Sequence, residues 1–401
     1  MSVGYHTGAI KENGQIWMWG KGESGELGNN FAIDVNVSPV QVVGNHSFIQ
    51  LSIGRELTAT LKQNGQCWTF GSNDYGGLGD NTIISKSSPV QVVGNHSFVH
   101  VNSGFRFTGC KKRDGSVWSW GSNSVGQLGT NTITPTSSPV QVVGNHSFTF
   151  IKSGYQYTIA LKADASLWGW GANTSGMLGD GTITNRSSPV AVIGNHNFVQ
   201  YDCGEYQTIA LKEDGTAWAW GNNLGGALGD DTNTNRSSPV QVVGNHIFKK
   251  VAAGGGSNGN SASYGLKDDG SLWSWGYNGS GRLGTNNLTD YSSPVQVVGN
   301  HSFMEIYAEN DFAIALKSNG EIWSWGNNIE GKLADGTILD RSSPVMAIGS
   351  HNFLVERYGL HGINIINTTG TYMIKPVVWI NIAGTWKRVC NGYVNVNGTW
   401  K

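Results

Sequence analysis

Leu167-Trp168-Gly169-Trp170-Gly171, then Gly176-Met177-Leu178-Gly179, Ser187-Ser188-Pro189-Val190 and Gly194-Asn195-His196, is one copy of a pattern that recurs along nearly the whole chain. The Trp-Gly element stands at Trp17/Gly20, Trp68/Gly71, Trp118/Gly121, Trp168/Gly171, Trp218/Gly221, Trp273/Gly276 and Trp323/Gly326. The matching prolines are Pro39, Pro89, Pro139, Pro189, Pro239, Pro294 and Pro344, spaced by 50 residues except for one step of 55. Seven copies of so long a unit describe a chain built from one supersecondary element that buries its faces only against its neighbours.

Within the copy that starts at Pro139, short β-branched or alternating runs lie at 139–143, 148–152, 158–162 and 166–170. Asp164-Ala165 sits where other copies carry Asn-Gly or Asp-Gly, a hairpin signal. Four short strands per unit, with no helix-period segment, predict a four-stranded antiparallel blade. Seven such blades predict an all-β, seven-bladed β-propeller over 1–359. The first copy lacks a leading strand, whereas 353–359 matches 48–54. Residues 353–358 are therefore expected to pair with the strand around 7–11 and close the ring, which removes the sheet edges an open stack leaves.

The unit Ser153-Gly154-Tyr155-Gln156-Tyr157-Thr158-Ile159-Ala160-Leu161-Lys162, Leu167-Trp168-Gly169-Trp170-Gly171 and Gly176-Met177-Leu178-Gly179 resembles the repeat of the regulator of chromosome condensation family. The resemblance covers roughly 1–359 and implies a seven-bladed propeller, in agreement with the strand reading. It also implies, through the founding member, exchange activity on a small GTPase with chromatin contact. In the family a His often precedes the Thr or Ser of the second strand. Here that position is His6 in the first copy, and Leu57, Phe107, Tyr157 and Gln207 in later ones.

Net charge is −1, so the chain has no electrostatic footprint for nucleic acid or an acidic membrane surface. Only 13% of residues are charged, against 58 Gly and 16 Trp, which describes a neutral, hydrogen-bonding surface. No apolar stretch approaches membrane-spanning length, and no signal peptide is expected. The cysteines Cys67, Cys110, Cys203 and Cys390 do not follow the repeat and read as small buried residues.

Residues 360–401 form a second module with its own short repeat, Trp379-Ile380-Asn381-Ile382-Ala383-Gly384-Thr385-Trp386-Lys387 and Tyr393-Val394-Asn395-Val396-Asn397-Gly398-Thr399-Trp400-Lys401. Each copy alternates apolar and polar residues about an Ala-Gly or Asn-Gly turn, so each predicts a β-hairpin. So short a module buries little surface alone. It is expected to attach to other chains or to copies of itself through Trp379, Trp386, Tyr393, Trp400 and Lys401. The Gly-Thr-Trp-Lys ending is similar to hairpin tails of bacteriophage structural proteins.

No copy carries a private cluster of carboxylate, His and nucleophile, so catalysis, a cofactor and a metal centre are not expected. The seven Gly-Asn-His histidines, from His46 to His351, read as structural turns, because one ligand per blade cannot converge on one zinc. The tryptophan pairs read as packing between blades, with glycan stacking as a lesser reading. The Gly-x-Leu-Gly loops lack the Lys-Ser/Thr of a phosphate loop, and Asp180 and Asp230 read as turn formers rather than calcium ligands. Repeat symmetry breaks in two places. One is the glycine-rich insertion 255–259 inside the loop 254–261, where Gly255, Ser257, Asn258 and Asn260 are candidate partner contacts. The other is the variable loop before each proline, at 31–36, 83–86, 133–136, 183–186, 232–236, 288–291 and 338–341. Variation at one rim of a uniform frame resembles a recognition surface. The reading is a non-enzymatic virion component of a bacteriophage, made in the host cytoplasm and engaging virion proteins, a host receptor or a glycan. The alternative is a propeller of exchange-factor or protein-inhibitor type that binds a protein partner. No nucleic acid and no membrane insertion are expected.

Overall fold

Gly-x-Leu-Gly returns the chain antiparallel to the strand it has just left, and this local reversal sets the blade. The computed structural model describes residues 2–347, apart from 4, 5, 12, 257, 258, 310 and 330. Beyond them it describes the strand segments 366–368, 371–373, 379–382, 385–388, 395–396 and 399–400. The chain divides into two compact units, Met1–Leu354 and Val355–Lys401. The boundary expected at 359 falls outside the described residues.

The first unit is a seven-bladed β-propeller of seven four-stranded antiparallel sheets, each in simple chain order. Blade four is representative, with strands Phe150–Ser153, Tyr157–Leu161, Leu167–Gly171 and Arg186–Ala191. The first strands of successive blades touch one another and so line the axis. The proline strand is the outermost, where a residue without an N–H costs no ladder bond. It closes its own blade, pairing Val190 with Gly169. The four runs read from Pro139 onward therefore straddle two blades, because Gly144-Asn145-His146 is the crossover to the next one. Asn145 holds φ +48 in that turn, a conformation Asn tolerates better than most residues.

Ring closure differs from the expectation. Ser2–Val3 pairs with Thr7 and Gly8 as the innermost strand of blade one. It lies against the first strands of both blade two (Gln50–Ile53) and blade seven (Glu305–Glu309). Ser2–Val3 thus lines the strand edge at Thr7 and Gly8, and 353–358, expected to pair there, lie outside the described residues.

Neighbouring blades are joined by one repeated lock. The second aromatic of each Trp-x-Trp-Gly element lies under the Gly-x-Leu-Gly loop of the preceding blade. Trp120, Trp170, Trp220, Trp275 and Trp325 are each at most 1% exposed, and Phe70 holds the place in blade two. Trp120 Nε1 donates to Gly77 O at 3.0 Å, Trp170 to Gln127 O at 3.1 Å, Trp220 to Met177 O at 2.8 Å and Trp325 to Arg282 O at 2.8 Å. The last glycine of the loop rests on the indole: a Cβ on Gly79, which has φ +66, would stand 2.5 Å from Trp120 Nε1. At the seam between blades seven and one, Ala334 replaces this glycine; Trp19 Nε1 there, like Trp275 Nε1 in blade six, is buried without a hydrogen bond.

The residue opening the second strand makes a second set of links. His6 Nε2 meets Thr58 Oγ1 at 2.7 Å, Tyr157 donates to Gly204 O at 3.1 Å, and Gln207 Nε2 donates to Ala262 O at 3.1 Å. Unlike side chains thus bridge to the next blade at one position, which accounts for the departure from a repeated His. Side chains also satisfy the axial strand edges, as where Gln50 Oε1 accepts from Val101 N and Gln200 Oε1 from Val251 N, both at 3.1 Å. Cys67, Cys110 and Cys203 are buried and free, whereas Cys390 lies outside the described residues.

The second unit contains hairpins Trp379–Ile382 with Thr385–Arg388, and Asn395–Val396 with Thr399–Trp400, about the two turns read from sequence. A further hairpin, Ile366–Thr368 with Thr371–Met373, precedes them.

Two outcomes follow from this packing. Gly79→Ala lowers the unfolding free energy by about 2–4 kcal/mol, from positive-φ strain and overpacking together. Gly320→Ala, which meets nothing within 4 Å and whose counterpart in blade four is Ala165 at φ +66, costs about 1 kcal/mol or less. Urea unfolding of the two variants checks the difference.

The second outcome concerns pH. Burial holds His100 down to about 4 and His6 down to about 3, because their rings are locked between blades. The unfolded chain then binds more protons below about pH 6.5, so stability is full above that value and falls as pH drops toward the folded-state values. The urea midpoint should be lower at pH 5 than at pH 7, and His100→Gln should shrink the difference.

Candidate partner-binding face

In an antiparallel four-stranded blade, the first–second and third–fourth connections leave from one end. The second–third hairpins and the crossovers leave from the other. One face of the ring therefore gathers both places where the repeat loses its symmetry. Two sets of residues lie there.

The outer set sits at the tips of the third–fourth loops. Ile83, Ile133, Ile183, Leu288 and Ile338 are 62–67% exposed, and Ile84 and Leu339 stand exposed beside two of them. These exposed apolar side chains stand at equivalent places in five blades, all on one rim. The polar residues of these loops bond one another, as blade four shows. The Asn173 amide nitrogen donates to Asp180 Oδ1 at 3.0 Å, its Oδ1 accepts from Leu178 N, and Arg186 pairs with Asp180 Oδ2 at 2.7 Å. Asp230 and Arg236 repeat the arrangement. These carboxylates already serve an arginine and a threonine, so the calcium reading gains nothing, and the loop amides are used internally rather than pointed at a phosphate.

The inner set comes from the first–second connections, whose leading residue is Arg55, Phe105, Tyr155, Glu205 and Gly255 in blades two to six. Phe105 and Tyr155 stack with centroids 4.4 Å apart and planes 11° apart. The Arg55 guanidinium lies 5.4 Å from the Phe105 centroid and 5.2 Å from that of Tyr155. Its Nη1 is 3.7 Å from Glu205 Oε1. Arg55 belongs to blade two and Glu205 to blade five, so this ion pair crosses the axis. Arg106 donates from Nε to Glu56 Oε2 at 2.6 Å, which raises the guanidinium further, and lies over Phe105 and Tyr75. Lys332 pairs with Asp311 at 3.2 Å. Burial pushes the Glu205 carboxyl above the ordinary carboxylate range, while Arg55 and the Gly256 amide oppose it.

Of the residues singled out from sequence, Gly255 and Asn260 belong to this face. Arg282 Nη1 donates to Gly255 O at 3.1 Å and Asn260 O at 2.7 Å, which ties the two ends of the insertion together. Ser257 and Asn258 lie outside the described residues. Trp379, Trp386 and Trp400 fall in the hairpin strands of the second unit, whereas Tyr393 and Lys401 lie outside the described residues. The crossover histidines are structural: His46, His96, His146, His196, His246 and His301 each pack on the first tryptophan of the next blade at 4.1–4.5 Å. A lysine ammonium lies 3.9–4.5 Å from the same ring. Those tryptophans thus already carry a histidine and a lysine. Arg55, Phe105, Tyr155 and Glu205 escaped the sequence reading. Their signal was five unlike residues after the same glycine, from Gly54 to Gly254, in an otherwise uniform repeat.

The RCC1-like domain model matches residues 2–258, and the regulator of chromosome condensation (RCC1) repeat model matches 269–316. The Protein RCC2 homolog of Xenopus laevis is 31% identical over 84 residues, 20% of this chain and 16% of that protein. The chain thus aligns with only a small part of the curated relatives it matches. The fold is that of human WBSCR16, with TM-score 0.74 and 20% identity over 84% of this chain and 94% of that one. It is also that of Saccharomyces cerevisiae Prp20p, described with its binding properties to Gsp1p and histones, with TM-score 0.72 and 19% identity over 86% and 88%. These matches overturn the reading of a bacteriophage virion component and its location in a virion. The matched family models end at residue 316 and do not reach the tail.

Millimolar calcium or EDTA should leave the melting temperature unchanged, because Arg186, Arg236 and Arg341 already neutralise the rim carboxylates. A calcium-dependent rise of several degrees would show that the aspartates prefer the ion.

Proposed function

The chain belongs to the RCC1-like domain family, and on that footing we propose that it is a non-enzymatic, protein-binding propeller. It engages its partner on the face formed by the first–second and third–fourth loops. The observation that carries the reading is the coincidence on one face of exposed Ile83, Ile133, Ile183, Leu288 and Ile338 with the unlike residues Arg55, Phe105, Tyr155 and Glu205. The opposite face repeats the same hairpins and crossovers from blade to blade. An apolar rim around a charged, aromatic centre suits a folded protein surface, where aromatic and arginine anchors dominate binding.

A small GTPase of the Gsp1p kind is the first partner class to test, since Prp20p, of the same fold, is described as binding it. Exchange-factor activity is the narrower form of the proposal. The insertion at 255–259 is short for a wedge that opens a nucleotide site, so binding is expected to outlast any acceleration of nucleotide release. The tail hairpins, with Trp379, Trp386 and Trp400, are a second proposed contact for a partner.

Purified Gsp1p, or a small GTPase from the chain's own source, provides the test by interferometry. The double variant Ile83→Asp/Ile133→Asp should weaken binding about tenfold or more, as expected for losing buried apolar anchors. Arg113→Ser, an exposed change on the opposite face, should leave it unchanged. Equal weakening by both variants would contradict the face.

A further inference from the structure

We infer that the axial mouth of this face is a binding site for a cationic side chain of a partner protein, an arginine or lysine, and that Arg55 occupies it from within as a plug. The inference rests on the reading of this face as the partner-binding face.

Three observations converge. First, Glu205 is 8% exposed, and its Oε2 is buried with no hydrogen bond among the described residues. A buried carboxylate oxygen left unbonded is costly and calls for a donor. Gln207 Oε1, two residues along the same chain turn, is also buried and unbonded. Second, the wall beside Glu205 is aromatic. Phe105 and Tyr155 stack, and Tyr206 lies 5.7 Å from Tyr155. Aromatic faces beside a carboxylate form a site that selects a cation by charge and by the ring quadrupole. Third, Arg55 fills the site incompletely. It reaches across the axis from blade two and stops 3.7 Å from Oε1. Elsewhere the chain makes closed arginine pairs, Arg106 with Glu56 at 2.6 Å and Arg186 with Asp180 at 2.7 Å.

The blade frame does not explain this cluster. The corresponding residues of successive blades are Arg, Phe, Tyr, Glu and Gly, whereas the flanking glycine and second strand repeat. An arginine approaching along the axis can bond both Glu205 oxygens in the planar, two-pronged geometry that Arg55 does not reach. Arg55 then moves off the rings, and the displaced guanidinium returns to solvent. The site is thereby weak for stray cations and selective for one delivered by a docked partner.

The test uses the full chain and two fluorescein-labelled pentapeptides, Gly-Gly-Arg-Gly-Gly and the same peptide with neutral citrulline in place of arginine. Arg55→Ala and the length-preserving Arg55→Gln should each bind the arginine peptide about tenfold more tightly than the unaltered chain does, once the competing internal cation is gone. The citrulline peptide should show no such gain. Adding Glu205→Gln to Arg55→Gln should remove it. Two different replacements of Arg55, each verified by its melting curve, keep a folding defect from deciding the result. No gain in either variant, or equal gain for citrulline, overturns the site. Binding of Gsp1p that still depends on Ile83 and Ile133 without arginine selectivity retires the cation site and leaves the face. Arginine selectivity with partner binding indifferent to Ile83 and Ile133 retires the face and leaves the site.

Discussion

The structure depends on an indole held beneath a glycine loop. Each blade has two hydrophobic faces that it cannot bury alone, and the second aromatic of its Trp-x-Trp-Gly strand is the piece that enters the neighbour. The aromatic fills the space under the preceding Gly-x-Leu-Gly loop, and Trp120, Trp170, Trp220 and Trp325 also hydrogen-bond a carbonyl of that loop. The loop needs glycine because its backbone takes a positive φ and lies flat against the ring. One contact thus accounts for two sequence features at once, the buried aromatic and the glycine spacing of the loop. The seam between blades seven and one departs from it, with Ala334 in place of the last loop glycine. That seam is where the innermost strand Ser2–Val3 supplies the joining contacts instead.

A frame stabilised at its blade junctions leaves the loop tips free. Thr58, Thr108 and Thr208 spend their hydroxyls on the preceding loop carbonyls, Trp120 and Trp220 their indoles, and Asn73, Asn173 and Asn223 hold the third–fourth loops from inside. None of these groups is available to a partner. The positions the frame does not specify are the residue after the repeated glycine and the apolar tips Ile83, Ile133, Ile183, Leu288 and Ile338. The Arg55–Glu205 pair shows how far that freedom extends. It joins blades on opposite sides of the axis, which no repeat-level requirement dictates.

The repeat made the blades, their number and the turn role of the crossover histidines legible from the residues alone, because period, strand alternation and turn chemistry are local. The hairpins about Ala383-Gly384 and Asn397-Gly398 were legible for the same reason. Which strand belongs to which blade was not. The proline strand pairs backward, through a register that only the Gly-x-Leu-Gly reversal decides. The closing strand was missed because Ser2–Val3 carries no repeat signature. The central cluster was missed because its members are 50 to 150 residues apart and meet only when the ring closes. The virion reading failed because a four-residue hairpin ending was given the weight of a lineage.

The central claim is that the indole locks make seven blades one cooperative body. Trp170→Ala removes one lock and should lower stability by about 3–5 kcal/mol, as for a fully buried tryptophan. Native-state hydrogen exchange of that variant, followed by mass spectrometry, is the direct test. In a closed ring, the loss of protection should spread to the second strands of all seven blades, including His6–Ile10 and Phe312–Leu316 far from the substitution. Loss confined to blades three and four, with the others protected as before, would contradict the account, because it is how an open array of independent units behaves.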